Sequence, residues 1–122
     1  MSWSVAFHPT FEIEFKALDG AVQDELLAMV ELLKAAGPHL RRPHADTLEG
    51  SKHANMKELR FGADDGVWRV AYAFDPARKA MLLVAGDKAG VSQKRFYKGL
   101  IRRADERFDQ HLDRLDGHMR RT

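Results

Sequence analysis

The stretch DDGVWRVAYAFDPARKAMLLVAGDK, Asp64 to Lys88, decides the fold. Its two apolar runs, GVWRVAYAF and KAMLLVAG, are joined by DPAR, and Gly, Asp and Pro are turn formers. A third run, NMKELRF, precedes them across GADD, so residues 55–86 read as a three-stranded antiparallel meander. Strand side chains alternate, which puts Trp68, Val70, Tyr72 and Phe74 on one face and Val67, Arg69, Ala71 and Ala73 on the other. The large residues are expected to pack on a helical layer. Arg69 is then left on an open, solvent-facing sheet face among small neighbours.

Pattern also suggests a register. If Phe61 opposes Gly66, then Leu59 opposes Trp68 and Glu58 opposes Arg69. Leu59, Phe61, Trp68 and Val70 share the core face, and Glu58, Arg60, Val67 and Arg69 the outer one. A slip by one residue would mix the faces. Arg69 then has two readings. It pairs across the strands with Glu58, a contact of small energetic value at a surface, or it offers a phosphate-binding guanidinium with room for a ligand beside it.

Upstream, Ser2 to His8 alternates as a short strand, and Pro9 suits a first helical position. Phe11, Phe15 and Leu18 form one helical stripe; Val22, Leu26, Met29, Val30 and Leu33 form a second. Asp19-Gly20 separates them and Gly37-Pro38 ends the pair, giving a helical hairpin. Residues 37–54 show no sustained periodicity and read as a long loop, a kind of segment that is often functional. Downstream, Ser92 is a good N-cap for a helix to about Leu115, striped by Phe96, Leu100, Ala104, Phe108, Leu112 and Leu115. The expected organisation is a single domain over residues 1–116 and a frayed tail over 117–122.

A chain of 122 residues can bury roughly two-thirds of its unfolded surface without a metal or disulfide. It has no cysteine, which excludes disulfides, thiolate zinc sites and thiol nucleophiles. No secretory leader or membrane span is legible, so a soluble cytoplasmic protein is expected. Residues 1–50 carry a net charge of −4 and residues 51–122 of +6, an asymmetry that suits either an anionic partner for the second half or a solvated basic face. The six histidines include no HExxH or tight pair, so no metal and no cofactor is expected. His53, just before the first meander strand, is a catalytic candidate. Asp87 is either a base-positioning group or a turn carboxylate, and Arg102 and Arg103 read as a solvated face that could touch phosphate.

The segments RRPHADTLEGSKHANMKELRF, GVWRVAYAFDPARKAMLLVAGDKAG and RFYKGLIRRADERFDQHL, with the opening WSVAFHPTFEIEF, resemble the RelE/ParE superfamily of bacterial toxins, and most closely its HigB-like, phage-derived branch. The resemblance implies an α/β (α+β) RelE-like fold: strand, helical hairpin, antiparallel meander and C-terminal helix. It implies the toxin of a type II toxin–antitoxin system that cuts messenger RNA in the ribosome and is silenced by a cognate antitoxin, of helix-turn-helix type. Carried over residue by residue, it makes Arg69 a phosphate contact and Lys88 the basic group after the last strand. Tyr97 (or Phe96) becomes the stacking or orienting aromatic. Lys57 joins this catalytic set, although its parity puts it on the core side unless the edge bulges. Arg60, Lys94 and Arg95 are implied RNA contacts. Cleaving members often carry two alternating lysines on the first meander strand, where Met56, Glu58 and Arg60 stand here. The ParE-like alternative poisons DNA gyrase without cutting RNA, and a decayed module would bind only its antitoxin.

Overall fold

The computed structural model describes residues 2–121, with side chains through residue 117. Its elements run β1 (Ser4–Phe7), α1 (Pro9–Lys16), α2 (Gly20–Ala36), a 3-10 turn (Gly37–His39), β2 (Ala45–Thr47), β3 (Lys57–Ala63), β4 (Gly66–Phe74), β5 (Lys79–Asp87) and α3 (Gln93–Arg121). One sheet has the order β1-β5-β4-β3-β2. β1 joins β5 in parallel, and the other three pairings are antiparallel. Helix α3 is continuous past Leu115, where the sequence pattern ends, through Arg121. Of the tail expected over 117–122, Thr122 lies outside the described residues.

Local chemistry sets these boundaries. His8 caps α1 by accepting the Thr10 amide on Nδ1 at 3.1 Å, and Pro9 occupies the first helical position, where a missing N–H costs nothing. Helix α2 ends at Gly37, whose φ of +56° is a left-handed conformation that glycine adopts without strain. Trp3 lies directly over Gly37, so a side chain there would also collide with the indole.

The β3–β4 register differs from the expectation by two residues. Phe61 pairs with Trp68, Leu59 with Val70 and Arg60 with Arg69, while Glu58 faces Ala71. Only Asp64 and Asp65 form the turn, with φ of 50° and 60°, the two-residue hairpin geometry that Asp tolerates and that matches strand twist. A shift of two preserves parity, so every side chain keeps its expected face. The long loop also holds a strand that periodicity did not reveal. Its three residues, Ala45–Thr47, pair with Leu59, Glu58 and Lys57.

The sheet is covered on both faces. Leu26, Met29, Val30 and Leu33 of α2 pack with Phe11 on Leu59, Val70, Tyr72 and Leu82. On the opposite face, Leu100, Ala104 and Phe108 of α3 pack on Ala71, Ala73, Leu83 and Val84. Burying a side chain such as Leu100 or Phe108 stabilises the fold by about 1.5–3 kcal/mol. The expectation of an open, small-residue face is therefore corrected: the alanines let a helix approach the sheet closely, and α3 fills the space. Arg69 does lie on the side away from the helical hairpin, but it is 7% exposed, not solvent-facing.

An irregularity in β5 fits this two-sided burial. Ala71 pairs with Val84 and Tyr72 with Leu82, leaving Leu83 as an extra residue. Leu83 and Val84 consequently both face α3. Arg107 of α3 donates Nη1 to the Leu83 carbonyl at 2.9 Å and grips the Glu14 carboxylate at 2.8 and 2.7 Å.

Candidate active site

The first turns of α3 pack over β5 and β4. Ser92 starts the helix as expected, accepting the Arg95 amide on Oγ at 3.3 Å. Phe96 seats the helix above β5 at Gly86, where a Cβ would come within 2.9 Å of its ring. Gly86 is the register partner of Arg69, so the glycine lets the Phe96–Tyr97 turn descend onto the arginine. Phe96 and Tyr97 contact edge to face at 5.1 Å. Phe96 is thus committed to packing, and Tyr97 is the aromatic of the pair that reaches the polar cluster.

Within that cluster, Arg69 donates Nε to the Tyr97 hydroxyl at 3.3 Å and Nη1 to the Trp68 carbonyl at 2.9 Å. Arg60 donates Nη1 to Glu58 Oε2 at 2.7 Å. Glu58 is 4% exposed, and its Oε1, 4.0 Å from Arg69 Nε, holds no well-formed hydrogen bond. Leaving a buried acceptor unsatisfied costs about 1–3 kcal/mol. The Tyr97 hydroxyl nonetheless lies near enough to that carboxylate to feel it. Burial raises the Tyr97 pKa, Glu58 raises it further, and Arg69 opposes both.

Lys88 follows β5 and points over the Tyr97 ring, Nζ 5.9 Å from its centroid. Partial burial lowers its pKa, and the like charges of Arg69 and Arg60 lower it further. Its backbone is pinned by donation to the Val67 carbonyl at 2.8 Å. Asp87 serves as the turn carboxylate here, accepting the Val67 and Ala89 amides, each at 2.9 Å.

Two adjoining grooves open on the cluster. One, of about 540 Å³, is lined by Arg42, Thr47, Glu58, Arg60, Lys94 and Tyr97 among others. The second, of about 550 Å³, includes Arg42, Arg60, Phe61, Val67 and Arg69. A cationic rim over an aromatic floor can hold a single-stranded polyanion and stack one of its bases.

Of the residues singled out in the sequence, Arg69, Arg60, Tyr97 and Lys94 line these grooves, and Lys88 lines neither but lies over the Tyr97 ring. Arg95 is exposed one residue further along the first turn of α3 and lines neither groove. Lys57 pairs with Tyr72 and shares the Leu59 face, on the α2 side of the sheet. No bulge interrupts β3 against β4, so nothing turns Lys57 toward Arg69. His53 is also elsewhere: its Nε2 lies 2.9 Å from Asp109 Oδ1 and its ring meets Phe108 edge to face, with Lys52 paired to the same aspartate. Arg42 is the residue that sequence reasoning missed. It lines both grooves and is held by Asp46 at 2.9 Å, and the only hint was the Arg41-Arg42 pair in an aperiodic loop. Among the described residues, no group of three potential ligands could hold a metal, and no helix is long and apolar enough to cross a membrane.

This is a RelE-type fold. The structure superposes on a mutant of the Escherichia coli toxin RelE in the free state with a TM-score of 0.60 at 12% identity, covering 83% of this chain and 95% of that one. It superposes on the archaeal RelE-RelB complex from Pyrococcus horikoshii OT3 with a TM-score of 0.54 at 20% identity, covering 75% of this chain and 100% of that one. The family model described as phage derived protein Gp49-like matches residues 13–109. Two Mycobacterium tuberculosis (strain ATCC 25618 / H37Rv) relatives also match. "Putative toxin HigB2" is 43% identical over 100 residues, 81% of this chain and 49% of its own length. "Putative toxin HigB3" is 41% identical over 109 residues, 89% of this chain and 93% of its own length. The chain thus spans about half of the first relative and nearly all of the second. It belongs to the phage-derived Gp49-like family, with HigB-like relatives.

Proposed function

We propose that this protein is the toxin of a type II toxin–antitoxin pair, acting in the cytoplasm as a ribosome-dependent messenger RNA endoribonuclease. The observation that carries the reading is the cluster in which Arg69 holds the Tyr97 hydroxyl and Lys88 lies over the Tyr97 ring, where two adjoining grooves share Arg60. Strand-end and helix-start geometry assembles them from separate segments of the chain.

Attack of a ribose 2′-OH on the adjacent phosphate needs cations where charge accumulates and an acid at the leaving 5′-oxygen. Arg69 supplies a preorganised charge whose guanidinium is already oriented by the Trp68 carbonyl and Tyr97. Arg60 adds a second charge at the groove. Lys88, with its lowered pKa, gives up a proton more readily than an ordinary lysine. Tyr97 offers a ring for stacking and a hydroxyl for orientation. A cognate antitoxin of helix-turn-helix type silences the protein, and acidic segments of that partner suit the basic groove.

The test is single-turnover cleavage of messenger RNA on programmed ribosomes. Wild-type protein cuts within the ribosome-bound message, and Arg69→Ala loses about 10²–10³ in rate. Growth arrest with intact message and inhibited gyrase would instead place the chain with the gyrase poisons.

A further inference from the structure

Glu58 stands where the resemblance leads one to expect a lysine, and its surroundings are unusual for a mere ion-pair partner. Oε2 is taken by Arg60 at 2.7 Å. Oε1 is sealed from solvent and without a well-formed hydrogen bond, 4.0 Å from the same Arg69 Nε that holds the Tyr97 hydroxyl at 3.3 Å. Buried polar atoms in folded proteins are rarely left unpaired, and an exception calls for an explanation.

We infer that Glu58 is a positioning residue for the cleavage reaction: it orients the Tyr97 hydroxyl and takes its proton as the ribose 2′-OH attacks. The inference rests on the endoribonuclease reading above. Tyr97 oxygen accepts from Arg69 Nε at 3.3 Å, so the phenol proton is free to point the other way, toward Oε1. A solvent-sealed Oε1 cannot touch RNA itself. The hydroxyl of Tyr97 can, because Tyr97 lines the groove.

In this step the 2′-oxygen bonds to phosphorus while its proton passes to the Tyr97 oxygen, and the phenol proton passes to Glu58 Oε1. The bond from phosphorus to the 5′-oxygen breaks, and that oxygen takes a proton from the Lys88 ammonium. The products are a 2′,3′-cyclic phosphate and a 5′-hydroxyl. Glu58 then releases its proton to solvent and Lys88 regains one. The charged or titratable groups around this pair are Arg60 from β3, Arg69 from β4, Lys88 after β5, Lys94 from α3, Arg42 from the loop before β2 and Glu49 from the loop after it.

Two measurements test it. In free protein, the Tyr97 phenol is titrated by ultraviolet absorbance; Tyr72, the other tyrosine, is fully buried and titrates higher still. Glu58→Gln should move the Tyr97 transition to lower pH, and Arg69→Ala should move it to higher pH. A Glu58 that served only as the ion-pair partner of Arg60, remote from Tyr97, predicts no such pair of opposite shifts, and the cleavage rate then reads the proton transfer. On programmed ribosomes, Glu58→Gln should lose about 10²-fold or more in single-turnover rate with little change in half-saturation, since Oε1 does not contact RNA. Should Glu58→Gln fail to fold, Glu58→Asp, which withdraws the carboxylate from Tyr97, carries both readouts with the same signs. An unmoved Tyr97 transition, or a wild-type rate in a folded Glu58 variant, overturns the relay. Absence of cleavage by wild-type protein overturns the endoribonuclease reading instead, while the titration still reports whether Glu58 holds Tyr97.

Discussion

Arg69 of β4 and Tyr97 of α3, 28 residues apart in the chain, meet at 3.3 Å between guanidinium Nε and phenol oxygen. This contact joins the sheet to the helix that covers it, and it stands at the junction of two grooves. A residue pair of this kind is both structural and chemical, and substitutions can separate the two contributions.

Arg69→Ala should lose about 10²–10³ in single-turnover cleavage. It should also lower the melting temperature, because buried Glu58 then loses one of its two closest cationic neighbours. Arg69→Lys should restore part of the rate: charge returns, but the planar fork that engages Trp68, Tyr97 and the phosphate together does not. Tyr97→Phe retains the ring and removes the hydroxyl, so loss of cleavage at unchanged RNA affinity marks the hydroxyl as the working group. Unchanged cleavage would return Tyr97 to a stacking platform. Rates on programmed ribosomes, with thermal melts alongside, decide these points.

Lys88 predicts a pH dependence. Burial and the neighbouring arginines lower its pKa, and a general acid must be protonated to act. The rate should therefore fall as pH rises through that lowered value, below the range of an ordinary lysine. Tyr97 is shifted the opposite way, upward. Lys88→Arg keeps the charge but does not titrate in the accessible range, so the alkaline limb should vanish along with much of the rate. A limb that persists unchanged in Lys88→Arg would assign it to another group.

Arg42 and Lys57 should behave oppositely. Arg42 lines both grooves, so Arg42→Ala should weaken binding to single-stranded RNA. It should also reduce the slope of log affinity against log salt by about 0.7, the loss of one phosphate contact. Lys57→Ala, on the α2 face beside Leu59, should leave affinity, salt slope and cleavage close to wild type. Fluorescence titrations of labelled RNA at several salt concentrations make the comparison. A strong defect in Lys57→Ala would require the β3 edge to rearrange on binding.

How much of this was legible follows from the physics of each element. The meander and the helical hairpin announce themselves because alternation and 3.6-residue stripes survive over whole elements, as in Val67–Phe74 and Val22–Leu33. The register was displaced by two because Asp64 and Asp65 both take positive φ, which composition alone does not reveal, yet parity protected the face assignment. The small face of β4 reads equally well as open surface or as a helix seat. Only the docking of Leu100, Ala104 and Phe108 distinguishes them. β2 owes its identity to its partner β3 rather than to its own three residues. Arg69 and Tyr97 could be singled out from the chain. The unsatisfied Oε1 of Glu58 could not, because it is a property of three elements at once.

Helix α3 is fastened to the sheet through Arg107, which makes two kinds of bond. One is an ion pair with Glu14, whose side chain is 41% exposed; the other is a hydrogen bond to the carbonyl of fully buried Leu83 at 2.9 Å. Glu14→Gln removes only the half-screened charge and should cost about 0.2–1 kcal/mol. Arg107→Ala also orphans the Leu83 carbonyl at the strand irregularity and should cost about 1–3 kcal/mol more. The hydrogen bond from Arg107 holds the Glu14 carboxyl below its ordinary pKa of 4.5. A depressed carboxyl stabilises the fold above its unfolded pKa, and that contribution is lost as pH falls through the folded value. The coupling between Arg107→Ala and Glu14→Gln in a double-mutant cycle should accordingly shrink below about pH 4.5. The remaining cost of Arg107→Ala should persist there, because a carbonyl does not titrate. Urea unfolding of the four proteins at neutral and acid pH measures both. Equal losses for the two single variants at neutral pH would mean that the Leu83 carbonyl finds another donor.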